Sequence, residues 1–342
     1  MPTTQPLVSV ITPVYNCEQY LSQCIESVLE QSYGNWEYVI VNNRSNDRSA
    51  AIAEEYAARD SRIKVMNCSE FLPVVANHNR AIREIAADAK YCKFVFADDW
   101  LYPHCIERMV ELAEAHPSVG LVGAYGTDGR NVLWTGIRGR QFEIQPPSAR
   151  DVMPGREVCK NKLLGLPYVF GNSGSLLIRG DLIRQRPDFF NENILHADLE
   201  SCFDLLQRYD FGFIHQILTY TRRRDESEGS FARDYNSIVL GDYIVFLKYG
   251  PVFLSEEEFL HRLREVSWEY YRALGRNVLR MRGKDFWDYH GKTLNAFGVK
   301  IDYTQLTLAT LTAFAHAILE PKASLGRLLR WWPMTLKRMM KT

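Results

Sequence analysis

Apolar residues follow two alternating rhythms over the first hundred positions of this chain. Val8–Ile11, Tyr38–Val41, Ile63–Met66 and Phe94–Phe96 are apolar runs of strand length. Between them, Tyr20–Gln31, Ser49–Arg59 and Ala76–Ala87 carry apolar residues at helical spacing, with Leu21, Cys24, Ile25, Val28 and Leu29 as the clearest set. Strands apolar on both faces and alternating with helices predict an α/β fold, a mostly parallel sheet flanked by helices. Ligands of such sheets bind beyond the carboxyl ends of the strands. The positions to inspect are therefore Thr12–Asn16, Asn42–Asp47 and Ala97–Trp100, all polar or aromatic in character.

The alternation stops near residue 226. Ser255-Glu256-Glu257-Glu258 has the form of a capping box and opens a helical run toward Arg282. This predicts a catalytic domain over 1–228 and a mainly helical region over 229–342, with the boundary in the polar stretch around Gly229.

Composition sharpens this picture in few places. At 342 residues the chain is long for one core and short for three. The 41 basic and 41 acidic residues balance, which argues against a surface devoted to nucleic acid. Seven scattered cysteines with no CxxC pair suit reduced thiols in a cytosolic protein. No signal peptide is expected, and the apolar-leaning run Leu306–Leu319 falls short of the ~20 residues that cross a bilayer. Charge is concentrated only at the end, where 321–342 holds six Lys or Arg and no acid. A helical projection sets Leu325, Leu328, Leu329, Trp332, Leu336, Met339 and Met340 opposite Arg327, Arg330, Lys337, Arg338 and Lys341. That pattern fits an in-plane membrane helix, with packing against the domain as its alternative.

Three clusters can carry chemistry. Asp98-Asp99 ends an apolar strand, and adjacent carboxylates need a cation or hydrogen-bond donors to offset their repulsion. Pro13-Val14-Tyr15-Asn16 offers an aromatic that can stack on a base or simply pack in a turn. The run Asn42–Ser49 can bond a base or ribose, or cap the helix that follows.

In order and spacing these segments resemble the nucleotide-diphospho-sugar glycosyltransferases of family 2, which have the GT-A fold. Val8 to Asn16, Ser27 to Tyr33, Trp36 to Val41 and Asp98 to Pro103 carry the resemblance, which extends over roughly 7–225. It implies that Pro13 and Tyr15 cradle the base and that Asn43 reads its edge. His78, in Asn77-His78-Asn79-Arg80, faces the nucleotide, Asp98 approaches the ribose or phosphate, and Asp99 binds the Mn²⁺ or Mg²⁺ that bridges the diphosphate. Gly171, Asn172, Ser173 and Gly174 resemble the acceptor-side loop, and Asp198 the general base, with Glu200 and Asp204 as rivals. The implied donor is a nucleotide-diphospho-sugar and the acceptor a saccharide or lipid-linked hydroxyl. The implied product has inverted anomeric configuration, and the implied place is the cytoplasm, at the inner face of the plasma membrane.

Three positions depart from the family pattern. Asn43 stands where many members have Asp, Phe96 stands where an acid is frequent, and Arg224 replaces the His of an Arg-x-His segment. Arginine cannot ligate a metal but pairs well with phosphate, so Arg222 and Arg224 are expected at the diphosphate. Two alternatives stand beside this reading. One is a nucleotidyltransferase, for which Thr12–Asn16 lacks the glycine-rich phosphate loop. The other is a degenerate, membrane-attached scaffold, motivated by Asn43 and Arg224.

Overall fold

The computed structural model describes residues 5–133, 150–166, 169–186, 188–194, 196–223 and 234–319. The chain divides into two compact units, Met1–Ser230 with Lys248–Glu256, and Phe231–Leu247 with Glu257–Thr342.

The first unit is built on a mixed sheet. β1 (Val8–Val14) and β2 (Trp36–Asn42) are buried along their whole lengths, as strands covered on both faces must be. β3 (Ile63–Asn67) joins β2 in parallel, and β4 (Tyr91–Phe94) joins β1 in parallel. The order continues through β9 (Leu176–Arg179), β6 (Val119–Thr127) and β10 (Asp210–Tyr220) to β5 (Trp100–Leu101). β7 (Val132–Leu133) pairs with β6, and β8 (Arg150–Met153) with β10. Tracing the pairings, β1–β4, β6 and β10 run one way and β5, β7, β8 and β9 the other, so the α/β architecture is mostly parallel as expected. β9 is the strand that follows the Gly171–Gly174 loop, and its antiparallel insertion between β4 and β6 is not predicted by the sequence.

Helices cover this sheet. α1 (Leu21–Leu29) buries Leu21, Cys24, Ile25 and Val28, the stripe expected from their spacing. α2 (Ser49–Ala57), α3 (Val74–Ile82) and α4 (Cys105–Ala115) follow the next strands, and α5 (Gly155–Leu163), α6 (Gly180–Arg184) and α7 (Ala197–Leu206) come later. The fourth strand ends at Phe94 rather than Phe96, because the Phe96 carbonyl turns to accept the Asp99 N–H at 2.9 Å. This moves Lys93 into the strand, where it is wholly buried.

The second unit contains part of α8 (Ser237–Phe253), α9 (Glu256–Leu279), α10 (Lys284–Ala296) and α11 (Tyr303–Leu319). Its core is aromatic. Tyr243 and Tyr270 stack at 4.6 Å, and the Tyr270 hydroxyl meets His290 Nδ1 at 3.0 Å. Burial pushes the His290 imidazole down to about 4, so it packs neutral.

The carboxyl ends of β1, β2 and β4 are aligned by one hydroxyl. Thr12 Oγ1 lies 2.8 Å from the Tyr38 hydroxyl and donates to the Val95 carbonyl at 2.8 Å, all in the core. Thr12→Val keeps the shape, removes the donor to the Val95 carbonyl and leaves the Tyr38 hydroxyl only the Cys24 thiol at 3.6 Å, so a loss of about 1–3 kcal/mol is expected in a urea unfolding curve. An unchanged midpoint would show that this hydroxyl does not hold the strand ends.

Candidate active site

Four loops meet the carboxyl ends of the strands, and each is fixed by side chains that bond backbone. After β1, Pro13 stays buried in the strand opposite Val41, while Tyr15 emerges half-exposed and meets the exposed Phe71 ring edge-on at 4.9 Å. The polar run after β2 is largely spent on stitching this turn. Asn16 N–H donates to Ser45 Oγ at 3.0 Å, Asn46 N–H to Asn16 Oδ1 at 2.9 Å, and Glu18 N–H to Asp47 Oδ2 at 3.0 Å.

Asn43 is almost wholly buried, and its amide is already paired. Its Nδ2 donates to the Leu72 carbonyl at 2.8 Å and its Oδ1 accepts the Leu72 N–H at 2.8 Å. Only an amide can do both, since a carboxylate has no proton for the carbonyl. Asn43 therefore anchors the loop that presents Phe71. Sequence reasoning missed Phe71, which is set apart only by being a large apolar residue in a polar loop.

The same device recurs in α3. Asn79 Nδ2 donates to the Phe190 carbonyl at 2.8 Å and Oδ1 accepts the Phe190 N–H at 2.8 Å. His78 beside it sits among the rings of Phe94, Phe96 and Phe190, with centroids 5.4–6.1 Å away. Burial among these rings lowers its pKa to about 4, so the imidazole is neutral at ordinary pH. Asn77 Oδ1 is buried without a hydrogen-bond partner among the described residues, an arrangement that a ligand donor would relieve.

The Asp98-Asp99 turn is closed from the far end of the sheet. β5 pairs antiparallel with the end of β10, Trp100 opposite Tyr220, and their rings stack at 3.4 Å and 8°. Arg222 follows directly. Its backbone N–H donates to Asp99 Oδ1 at 2.8 Å, its Nε to the Asp98 carbonyl at 3.0 Å, and an NH2 proton to Gln23 Oε1 at 2.8 Å. The guanidinium also lies over the Tyr20 ring at 4.4 Å. Arg222 thus binds the acidic turn to α1. Arg224, its expected partner at the diphosphate, lies outside the described residues, as does 321–342.

No cluster of three or more His, Cys, Asp or Glu side chains occurs among the described residues. Two adjacent carboxylates, one of them buried with one oxygen pinned, still suit a hard divalent cation. Such ions take one or two carboxylates and complete their shell with phosphate oxygens and water.

On the opposite side, Gly171 has φ 70°, a left-handed conformation that favours glycine, and Ser173–Ser175 form a buried 3-10 turn. A Cβ at Gly174 would lie 3.1 Å from the Phe96 ring, so the loop packs on the aromatic that replaces an acid. Buried Lys93 donates its ammonium to the Gly174 carbonyl, and desolvation holds its pKa below the usual range. The signal in the sequence was one charged residue within a strand otherwise apolar.

Asp198 lies in the first turn of α7, half-buried, and accepts the Leu199 N–H at 2.8 Å. Burial raises its pKa, partly opposed by His196. Its rivals are paired, Glu200 through one oxygen only, since its Oε2 is buried with no hydrogen-bond partner among the described residues. Glu200 pairs with Lys248 at 2.5 Å, while Asp204 pairs with Arg186 at 2.9 Å and accepts the Tyr249 hydroxyl. A polar cavity of about 360 Å³ opens beside Glu200, Asp204 and Lys248, and Tyr15, Asn43, His78, Asp98 and Asp99 do not line it.

Residues 9–160 match the family described as glycosyl transferase family 2. The putative glycosyltransferase EpsE of Bacillus subtilis (strain 168) is 35% identical over 161 residues, 46% of this chain and 56% of that protein. The chain spans between 30% and 58% of the lengths of four such curated relatives. Among solved structures, S. aureus TarS 1-349 in complex with UDP-GlcNAc superposes with a TM-score of 0.58 at 18% identity, covering 85% of this chain and 80% of that one. Mannosyltransferase PcManGT from Pyrobaculum calidifontis, in complex with GDP-Man and Mn2+, gives 0.54 at 16%, covering 95% and 84%. Both show that the fold is shared.

The amide clamp gives a direct test within this site. Asn43→Asp keeps the bond from Leu72 N–H and sets a carboxylate oxygen against the Leu72 carbonyl. A loss of about 1–3 kcal/mol is expected in denaturant unfolding. Stability equal to the parent chain would mean that the amide pairing is not what holds the Phe71 loop.

Proposed function

We propose, from the premise that residues 9–160 place this chain in glycosyl transferase family 2, that it transfers a sugar from a nucleotide-diphospho-sugar to an acceptor hydroxyl with inversion. The observation that carries the reading is the Asp98-Asp99 turn at a strand end, with Asp99 Oδ1 fixed by the Arg222 N–H. Charge gathered and held there suits a diphosphate brought in with a divalent cation. The acceptor is a saccharide or a lipid-linked hydroxyl, and the setting is bacterial cell-surface polysaccharide or glycolipid synthesis. Relatives with Eps and teichuronic acid names support that setting. We place the reaction on the cytoplasmic side, with 321–342 against the membrane surface.

Each residue then has a task. Pro13 and Tyr15 border the base, and Asn43 holds the Phe71 loop beside it. His78, neutral and ringed by aromatics, offers a nitrogen to the nucleotide. Asp98 faces the ribose or phosphate and Asp99 holds Mn²⁺ or Mg²⁺. When bound, that cation neutralises charge on the departing diphosphate. Arg222 spends two side-chain N–H groups on Asp98 and Gln23, and keeps others for phosphate oxygens, with Arg224 beside it in sequence.

On the acceptor side, Gly171, Asn172, Ser173 and Gly174 shape the wall of the site. Asp198 takes the proton of the acceptor hydroxyl as that oxygen bonds to the anomeric carbon and the bond to the diphosphate breaks. A raised pKa makes Asp198 a better proton acceptor, and Glu200 and Asp204 are held in ion pairs.

Asp198→Asn is expected to lower kcat by about 10²–10⁴-fold with donor affinity unchanged, measured by turnover and calorimetry on a nucleotide-sugar substrate. A variant with parental kcat would remove Asp198 from the chemistry.

A further inference from the structure

The second unit carries a surface that sugar transfer does not use. α11 (Tyr303–Leu319) contains no Asp, Glu, Lys or Arg. Its inner side is fixed by Ala309, which is buried and packs on the backbone of α9 at Gly275, where a Cβ would lie 2.7 Å from the Ala309 carbonyl carbon. The other side faces outward with Tyr303, Leu308, Leu311, Phe314, Ile318 and Leu319, each 54–79% exposed. At about 3.6 residues per turn these fall on one half of the helix circumference, with only Thr and Ala between them.

A surface helix ordinarily turns charge toward water. A continuous apolar stripe without charge marks an interaction surface instead. What lies beyond Leu319 in the chain indicates its partner. After Glu320, residues 321–342 bring six Lys or Arg, two adjacent tryptophans, Trp331 and Trp332, and no acid. An apolar stripe followed in sequence by a basic, tryptophan-bearing segment has the composition that a membrane interface requires, apolar groups for the acyl chains and cations for anionic headgroups. No helix among the described residues is long and apolar enough to cross a membrane, so the helix would lie in the plane.

We propose that the outward face of α11 docks on an anionic lipid surface, with Leu308, Leu311, Phe314 and Ile318 at the boundary between headgroups and acyl chains. This binding does not depend on the sugar-transfer reading. It would hold the chain at a surface that carries lipid-linked molecules.

The test uses the full chain and flotation with vesicles of phosphatidylcholine containing phosphatidylglycerol, against phosphatidylcholine alone. The parent chain floats with the anionic vesicles, and a Leu311→Ser, Phe314→Ser, Ile318→Ser variant loses at least about tenfold in partitioning with an unchanged melting curve. Equal flotation of the variant overturns the proposal and leaves membrane binding to 321–342 alone. Conversion of a parental dimer to a monomer in the variant, seen by light scattering, also overturns it, because the face then belongs to a second copy. Hydrogen exchange on the parent chain reads the same face without substitution. Exchange over 303–319 slows when anionic vesicles are added, and an unchanged rate there sinks the proposal even if the variant fails to fold.

Discussion

Two adjacent carboxylates at the end of a buried strand are the constraint around which the first unit is arranged. Left alone, Asp98 and Asp99 would repel each other and the turn would loosen. The chain answers by bringing the end of β10 back to this point. β5 pairs with β10, Trp100 stacks on Tyr220, and Arg222 then places its backbone N–H on Asp99 and its side chain across to Gln23 and Tyr20. One arginine thereby joins α1, the acidic turn and the last strand of the sheet. The two carboxylates are thereby held side by side in a fixed turn, an arrangement that suits a hard divalent cation arriving with its ligand.

Elsewhere around the site, rigidity comes from pairing side chains with backbone. Asn43 with Leu72, Asn79 with Phe190, and Lys93 with Gly174 each fix a loop through a buried polar group. These groups cannot be both structural anchors and freely adjustable ligand contacts. What remains for a ligand is the half-exposed aromatic edge of Tyr15 and Phe71, the neutral His78 and the Asn77 oxygen, which has no hydrogen-bond partner among the described residues. The site is thus stiff in its walls and apolar at the rim formed by Tyr15 and Phe71.

The parallel core was legible because β1 and β2 are apolar on both faces and are separated by a helix with a clear buried stripe. Position at strand ends pointed to Tyr15, Asn43 and Asp98-Asp99 for the same reason. What sequence could not convey was the destination of long-range partners. β9 runs antiparallel between β4 and β6, yet its short apolar run reads like any other strand. Asn43 looked like a base-reading group, and only the fold reveals the Leu72 backbone opposite it. Arg222 was picked out by its place in the segment that resembles the family's Arg-x-His, whereas its contacts are set by a strand pairing between residues more than a hundred positions apart. Lys93 escaped notice because the strand was drawn from Phe94, three residues after its start at Tyr91.

The central claim is that the Arg222-anchored acidic turn binds a nucleotide-diphospho-sugar together with a divalent cation. Calorimetric titration of the purified chain with UDP-, dTDP- and GDP-sugars, with and without Mn²⁺, tests it most directly. The account predicts that one nucleotide series binds in the presence of the cation and is lost when the cation is chelated. Equal binding after chelation, or no binding by any of the three series with the cation present, would contradict it.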